Sequence, residues 1–588
     1  MDSAKSLGDP AQRTTDSRWR RIARSEAWRV AGASLVFGAA FSYPMLLRLF
    51  QLSEHNDWDL QMEFNWSPYY TLVHFHQIPL WDPWKCGGMA MLGNPQSLFF
   101  TPLFMLHLVL GPMVGAHLSV TVHLGIAWAG GYVLARTLGL GPLAAATAAT
   151  VYPASSWFPL HVGEGHLTLM GFVYLPWLLA LMVAAGQRAF APCAIAAGAL
   201  FAITFGSGGA GVIIYEAPLL VAFAIVEMVR TRRVRPLLFL TAAGTFALGL
   251  AALKLMPTIE VVLERGRAPW GVAFVIWRNL PQMLFARNQV QLAHQNVFFI
   301  EFGNYISPVF VILALAGLLM GRVRAAAWLV CGGVTILLVR GDDSAIPLFT
   351  WMRDVPILSM IRLSGRFLIP FTMCVAMLAA IGVDEIAHRL GRAGWWLGFA
   401  LLTAGALDSL LVGPPFLNEA FARVPHHFDY SQNFRQLADI DVNDQTVVAQ
   451  ANMGFIHCYD YTLWKTSVVA SNEKGYRGEQ YMQGPGTVKL LRWTPNRLTY
   501  AVDARGPSVM VVNQNYEPEW HLAAGDGRVI SAGGLLAVAV GAGERKLTLV
   551  YRGWPFELGL ALSILTILAA VLILLSQPTC RDDDQTRQ

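Results

Sequence analysis

Long apolar runs, interrupted by short arginine-bearing segments, constrain this chain more than any other feature. Residues 212–229, 326–339 and 558–575 each carry at most two charged side chains. A helix of about 17–25 apolar residues crosses the roughly 30 Å hydrocarbon core of a bilayer, and outside closed barrels only a helix satisfies its own backbone there. Of 588 residues, 55% are hydrophobic and 14% charged, with a mean hydropathy of +0.45. A soluble chain of this length needs more polar surface than that composition supplies. The chain reads as a polytopic integral membrane protein.

Arginine placement sets its orientation. Arg18, Arg20, Arg21 and Arg24, then Arg230, Arg232, Arg233 and Arg235, then Arg322 and Arg324, then Arg389 and Arg392 lie in short segments beside apolar runs. Such segments stay cytoplasmic, which accounts for them without a nucleic-acid partner. The first run, 30–50, is long and holds Pro44 and Arg48, so a retained helix is expected rather than a signal peptide. About twelve transmembrane helices follow. The expected divisions are a cytoplasmic N-terminal segment (1–29), a transmembrane domain (30–411) with an outer loop at 51–113, an extracytoplasmic soluble domain (412–554), a last transmembrane helix (555–576) and a cytoplasmic tail (577–588). Residues 98–110 are apolar but short, and read as an interfacial or half-inserted segment.

Within the soluble domain, alternation predicts strands at 498–502, 509–513, 528–531, 535–540 and 546–551, with Gly525, Gly527, Gly541 and Gly543 at turns. This predicts a small β-sandwich, preceded by a mixed α and β segment over 424–493. The six cysteines make no CxxC pair and no zinc spacing. Only Cys86 and Cys458 fall in segments expected outside; one bridge between them is conceivable, but they read as two unrelated thiols.

Chemistry-bearing residues concentrate in the outer segments. Glu54, Asp57, Asp59 and Glu63 place four carboxylates within ten residues. A carboxylate near the interface can take the proton of an attacking hydroxyl, or can simply keep a loop solvated. Asp57 and Asp59 also spell DxD, the metal-holding pattern of nucleotide-sugar transferases, but those substrates are cytoplasmic and this loop is expected outside. His161, Glu164 and His166 form a second cluster suited to a sugar or a metal. Gly206–Gly211 loosely resembles a phosphate-cradling loop, or a tight hairpin. Arg265, Arg267, Arg362 and Arg366 are exceptions to the inside rule, and arginine forks suit phosphate oxygens. Lys254 and Glu216 are ionisable groups inside apolar runs, where charge is costly unless paired.

Taken in order, several short motifs resemble one family: the acidic first loop, Pro79-Leu80-Trp81 with Pro83 and Gly87, Gly93-Asn94-Pro95-Gln96, Gly165-His166, then Pro257, Glu260 and Arg267. Glu301-Phe302-Gly303-Asn304-Tyr305, Arg362 with Gly365-Arg366-Phe367, Asn515-Tyr516, Trp520, Gly541-Ala542-Gly543 and Tyr551 complete the set. The pattern resembles the YfhO-like bacterial membrane proteins of the GT-C glycosyltransferase superfamily. The resemblance implies a GT-C-like, all-α transmembrane domain with an extracytoplasmic α+β or β-sandwich domain before the last helix, in the cytoplasmic membrane. It implies transfer of a sugar from a polyprenyl-phosphate carrier to a glycolipid, glycan or protein acceptor, with inversion. Asp59 best matches the position of the base, with Asp57 the nearby alternative. Gln61, Glu164, His166, Arg267, Glu301 and Tyr305 would contact substrate, and Arg362 and Arg366 would hold the donor phosphate. No cofactor is implied, and metal independence is expected because arginine can neutralise a single phosphate. Two other classes stay open: a lipid or glycan transporter, for which Glu216 would be the pointer, and a non-catalytic envelope assembly protein binding through Trp493, Trp520 or Trp554.

Overall fold

The computed structural model describes residues 26–53, 56–187, 190–265, 275, 277–288, 299–341, 346–355, 358–424, 429–438, 445–457, 460 and 466–577. Arg267 lies outside them. Among the described residues, five helical stretches are long and apolar enough to cross a membrane: Pro112–Thr137, Leu167–Gln187, Ala210–Thr231, Ser364–Asn418 and Trp554–Ser576. Arg235–Leu250 and Ala252–Arg265 qualify as a sixth if taken together, although they meet at 79°. Four shorter apolar helices, Ala27–Phe41, Phe190–Gly206, Pro308–Gly321 and Val323–Val339, complete the set. Length and composition therefore support a many-helix membrane protein without reaching twelve spans. The helices expected at 367–386 and 394–411 are the two arms of Leu368–Leu410, broken at Gly391 (φ 57°, ψ −130°).

Lys254 sits at the 79° bend between Arg235–Leu250 and Ala252–Arg265, buried, and is satisfied by three backbone carbonyls. Its ammonium donates to Ser97 O (2.6 Å), Gly206 O (3.2 Å) and Phe205 O (3.3 Å). The glycine-rich junction at 206–211 thus gives one of these three carbonyls, Gly206 O, to a lysine. The segment expected to be interfacial contains only a seven-residue helix, Phe104–Leu110, too short to span.

The largest departure from expectation lies in the loop at 51–113. Its acidic stretch is the start of an 18-residue helix, Asn56–Val73, with Asp57 and Asp59 in the first turn, where negative charge complements the helix dipole. This loop helix is enclosed nearly all round. Trp58, Leu60, Met62 and Phe64 are buried, and so are Asp59, Gln61, Glu63 and Asn65. After it, Trp81–Asp82 and Met89–Ala90 pair as a short hairpin, giving the bent, aromatic segment its rigidity.

One buried ion cluster ties the helix, the hairpin and the soluble domain together. Lys85 Nζ lies 3.2 Å from Glu63 Oε2 and 3.2 Å from Asp460 Oδ2, and 3.8 Å above the Phe64 ring. Asn94 Nδ2 donates to both Asp460 oxygens, and Asp82 accepts from the Trp84 amide. Burial and then the neighbouring Asp82 charge push the Glu63 carboxyl well above its ordinary range. Burial alone would lower the Lys85 ammonium, but Glu63, Asp460 and Asp82 more than offset it.

The soluble part is a sandwich of two four-stranded antiparallel sheets. One runs Arg528–Ala532, Leu535–Val540, Ser508–Asn515, Gln480–Gln483, and the other Gly486–Thr494, Arg497–Ala504, Gly543–Tyr551, Trp520–Ala524. Alternating residues such as Leu498, Tyr500, Val502, Leu547 and Leu549 face Met510, Val512, Leu536 and Val538 between the sheets. The outer face of the first sheet carries Val511, Leu535 and Ala537, covered by Ala438, Ile456, Val468 and Ala470. That covering layer holds a parallel strand pair, Arg435–Leu437 with Met453–Phe455, and the helix Gln445–Gln450 between them. All five expected strands are present. Trp520 packs on Trp81 and Tyr551 as core.

Cys86 is disulfide-bonded, which corrects the reading of it as a lone thiol; Cys458 lies outside the described residues. Cys193, Cys331 and Cys374 are free and buried.

Removing the one cation of the buried cluster strands its carboxylates, a change that costs about 3–5 kcal/mol. Lys85→Met is expected to lower the thermal midpoint of detergent-purified protein accordingly. Adding Glu63→Gln to it should recover part of that loss in the same melt.

Candidate functional site

The first turn of the loop helix meets the turn at 161–166, and the contact is close enough to need glycine. Gly165 ends the helix Trp157–Glu164 in a left-handed conformation (φ +101°), and a Cβ there would stand 2.2 Å from the Trp58 nitrogen. Trp58 Nε1 donates to Val162 O (2.6 Å), and Ser53 Oγ to Gly163 O (2.7 Å). The Trp58 ring is packed between His117 and Phe421.

This docking gathers a charged cluster. Asp57 Oδ2 is 3.1 Å from His166 Nε2, whose Nδ1 is 2.9 Å from His161 Nδ1. One imidazole of that pair donates and the other accepts. His166 Nε2 also stands 3.8 Å from Glu301 Oε1. Arg366 grips Glu301 with two edges, Nε to Oε2 at 3.1 Å and Nη2 to Oε1 at 2.9 Å. Burial alone would raise Glu301, but Arg366 and the two histidines hold it down at about 2. Burial, followed by the neighbouring His166, drives His161 well below the usual histidine range, so it stays neutral. Asp57 remains about a quarter exposed.

Of the expected site residues, the fold therefore assembles Asp57, His166, Glu301 and Arg366. Arg362 lies four residues before Arg366, half-buried, in the same connection. Its neighbour Leu363 donates its amide to Tyr215 Oη at 3.4 Å. Glu164 is half-buried just ahead of Gly165. Gln61 lies one turn along the loop helix on the face of Asp57, buried. Tyr305 looks elsewhere. Its hydroxyl donates to Asp408 Oδ2 (2.6 Å), and Arg287 pairs with the same carboxylate. This Arg287–Asp408 pair was not anticipated; the lone acid at the end of its apolar run was the only hint.

Asp59 points away from the cluster. Its carboxylate caps the helix Gln445–Gln450, accepting from the Gln445 amide at 2.7 Å and the Thr446 amide at 3.3 Å. Burial pushes its carboxyl up from 3.8 to about 6, against the lowering effect of those hydrogen bonds.

His161, His166 and Glu301 place ligand-type atoms within 4.8 Å of one another. The set suits a cation poorly. Both Glu301 oxygens are engaged by a guanidinium, and the two facing Nδ1 atoms share one proton.

A further feature lies among the membrane helices. An apolar cavity of about 400 Å³ lies between Phe190–Gly206, Ala210–Thr231 and Arg235–Leu250, lined by residues such as Phe205, Ile213, Ala217 and Leu248.

No protein-family model matches the chain, and no curated protein matches it. Among solved structures it is similar to the single-particle cryo-EM structure of the arabinofuranosyltransferase AftD from Mycobacteria, at TM-score 0.42 and 14% identity over 88% of this chain and 40% of that one. A mutant of AftD gives TM-score 0.42 and 15% identity, over 88% and 42%. The chain thus spans less than half the length of these neighbours.

Because the folded protein holds the Asp59 proton more tightly than the unfolded chain, this group's stability is fully present below about pH 4. It is lost as pH rises through about 6, a difference worth roughly 3 kcal/mol. Asp59→Asn, which keeps the cap neutral, is expected to gain thermal midpoint over wild type at pH 7.5 and not at pH 4. Paired melts at the two values read this directly.

Proposed function

We propose that this protein is a membrane glycosyltransferase that moves a sugar from a polyprenyl-phosphate carrier to an acceptor hydroxyl on the outer face of the cytoplasmic membrane. The observation that carries this reading is Asp57 Oδ2, partly exposed and 3.1 Å from His166 Nε2, beside the Glu301–Arg366 pair. Three further features support it. A disulfide at Cys86 fits a loop in an oxidising compartment. The arginine-bearing segments fit the opposite side. The apolar cavity between the membrane helices fits an isoprenoid chain.

In this reading the acceptor hydroxyl attacks the anomeric carbon from the side opposite the phosphate. Its proton passes to the Asp57 carboxylate as the new C–O bond forms. The bond from the anomeric carbon to the phosphate oxygen breaks, and the electron pair leaves with the phosphate, so the configuration inverts. Arg362 and Arg366 stabilise the charge that grows on the leaving phosphate more than they stabilise the bound donor. Glu301 keeps Arg366 and His166 in place. Asp57 is the proposed base rather than Asp59, because both Asp59 oxygens are taken by backbone amides.

A second reading, lipid transport, draws on Glu216. It is buried in Ala210–Thr231, and neither of its oxygens has a hydrogen-bond partner among the described residues. Movement of a labelled polyprenyl lipid across liposomes holding the purified protein, with the lipid chemically unchanged, would favour that reading.

Asp57→Asn is expected to cut glycosylated product by about 10²–10⁴-fold, the usual contribution of a general base. Asp59→Asn should retain product at equal protein level. Treatment with EDTA should leave the wild-type rate unchanged. Mass spectrometry of lipid extracts reads all three, and equal product from both variants would sink the assignment of the base.

A further inference from the structure

A cavity of about 910 Å³ lies not in the membrane part but in the soluble domain. It opens between the β-sandwich and its covering layer. This volume lies near the upper end of the roughly 300–1,000 Å³ typical of small-ligand sites. Most such sites are apolar; this one is not. Its walls alternate aromatic faces with amides and cations. Trp493 stacks on Phe434 with ring centres 4.9 Å apart. Tyr430 is 41% exposed at the rim, and Tyr476 donates its hydroxyl to Glu479 at 2.9 Å. Lys489 and Arg492 are exposed on the strand Gly486–Thr494.

The charge is one-sided. Glu479 is the one acid among the described lining residues. Its oxygens already accept from Tyr476, the Gln436 amide and Asn513. The cations Arg435, Lys489 and Arg492 are left to set the field. Flat aromatic faces suit the C–H faces of sugar rings, amides suit hydroxyls, and exposed cations suit carboxylates. We propose that this groove binds an oligosaccharide bearing carboxylate groups.

Placement gives the groove a role that rests on the transferase reading. Phe75, just past the end of the loop helix, lines the groove, while Asp57 stands in the first turn at the other end. An 18-residue helix is roughly 27 Å long. A ligand in the groove therefore cannot be the group that reacts at Asp57. It is a more distant part of a polymeric acceptor, held so that its end returns repeatedly to the site.

The test is retention of full-length protein in detergent on an array of short neutral and uronic-acid-containing oligosaccharides, with an oligonucleotide and a polyglutamate peptide as further probes. The uronic-acid oligosaccharides are expected to be retained. Lys489→Gln with Arg492→Gln should weaken that retention by about tenfold or more. Asp57→Asn should leave it intact, which separates failure of the groove from failure of the proposed catalyst. No retained sugar, equal retention of neutral sugars, equal retention by the double variant, or preference for the oligonucleotide or peptide would each overturn the proposal.

Discussion

Everything in this fold hangs on a helix that sits where a surface loop would be expected. Asn56–Val73 is enclosed by the membrane helices, the 161–166 turn and the soluble domain, so polar residues on its length must find partners inside the protein. Lys85 supplies one, drawing Glu63 and Asp460 to a single ammonium. The Gln445 and Thr446 amides supply another for Asp59. These contacts join residues nearly 400 positions apart. They make the soluble domain a continuation of the membrane domain rather than an appendage on a tether.

The same helix explains why two neighbouring aspartates have different work. Side chains two residues apart on a helix point about 200° away from each other. Asp57 turns toward His166 and the Glu301–Arg366 pair, and Asp59 turns toward the soluble domain. Read as a loop, the motif favours Asp59 as the base, with Asp57 beside it. Read as a helix, one is open to chemistry and the other holds the structure together. The cluster at Asp57 is electrostatically settled in advance: Arg366 fixes Glu301 as an anion, and burial fixes His161 as a neutral partner for His166.

Much of this was legible in the sequence, and the failures have physical causes. Apolar runs gave the membrane class because hydrocarbon tolerates little else. Strict alternation gave Arg497–Ala504 and Gly543–Tyr551, whose two faces see different surroundings. The loop helix gave no such signal, because both its faces are buried and polar residues such as Asp59, Gln61, Glu63 and Asn65 lie inside along with the apolar ones. Gly486–Thr494 was missed for the opposite reason: Lys489, Leu491 and Arg492 lie exposed along the strand, and apolar residues there do not mark a buried face. At the candidate site the motifs named Asp57, His166, Glu301 and Arg366, and the fold brings these four together. They could not reveal that Tyr305 answers to Asp408, 103 residues away.

The central claim is that the Asp57 cluster and the soluble domain above it face away from the cytoplasm. Gly541, exposed in a turn of the β-sandwich with nothing within 4 Å of an added Cβ, provides the handle. A membrane-impermeant maleimide applied to intact cells carrying Gly541→Cys should label the protein before any permeabilisation. Labelling only after the membrane is opened would place the domain inside and contradict the account.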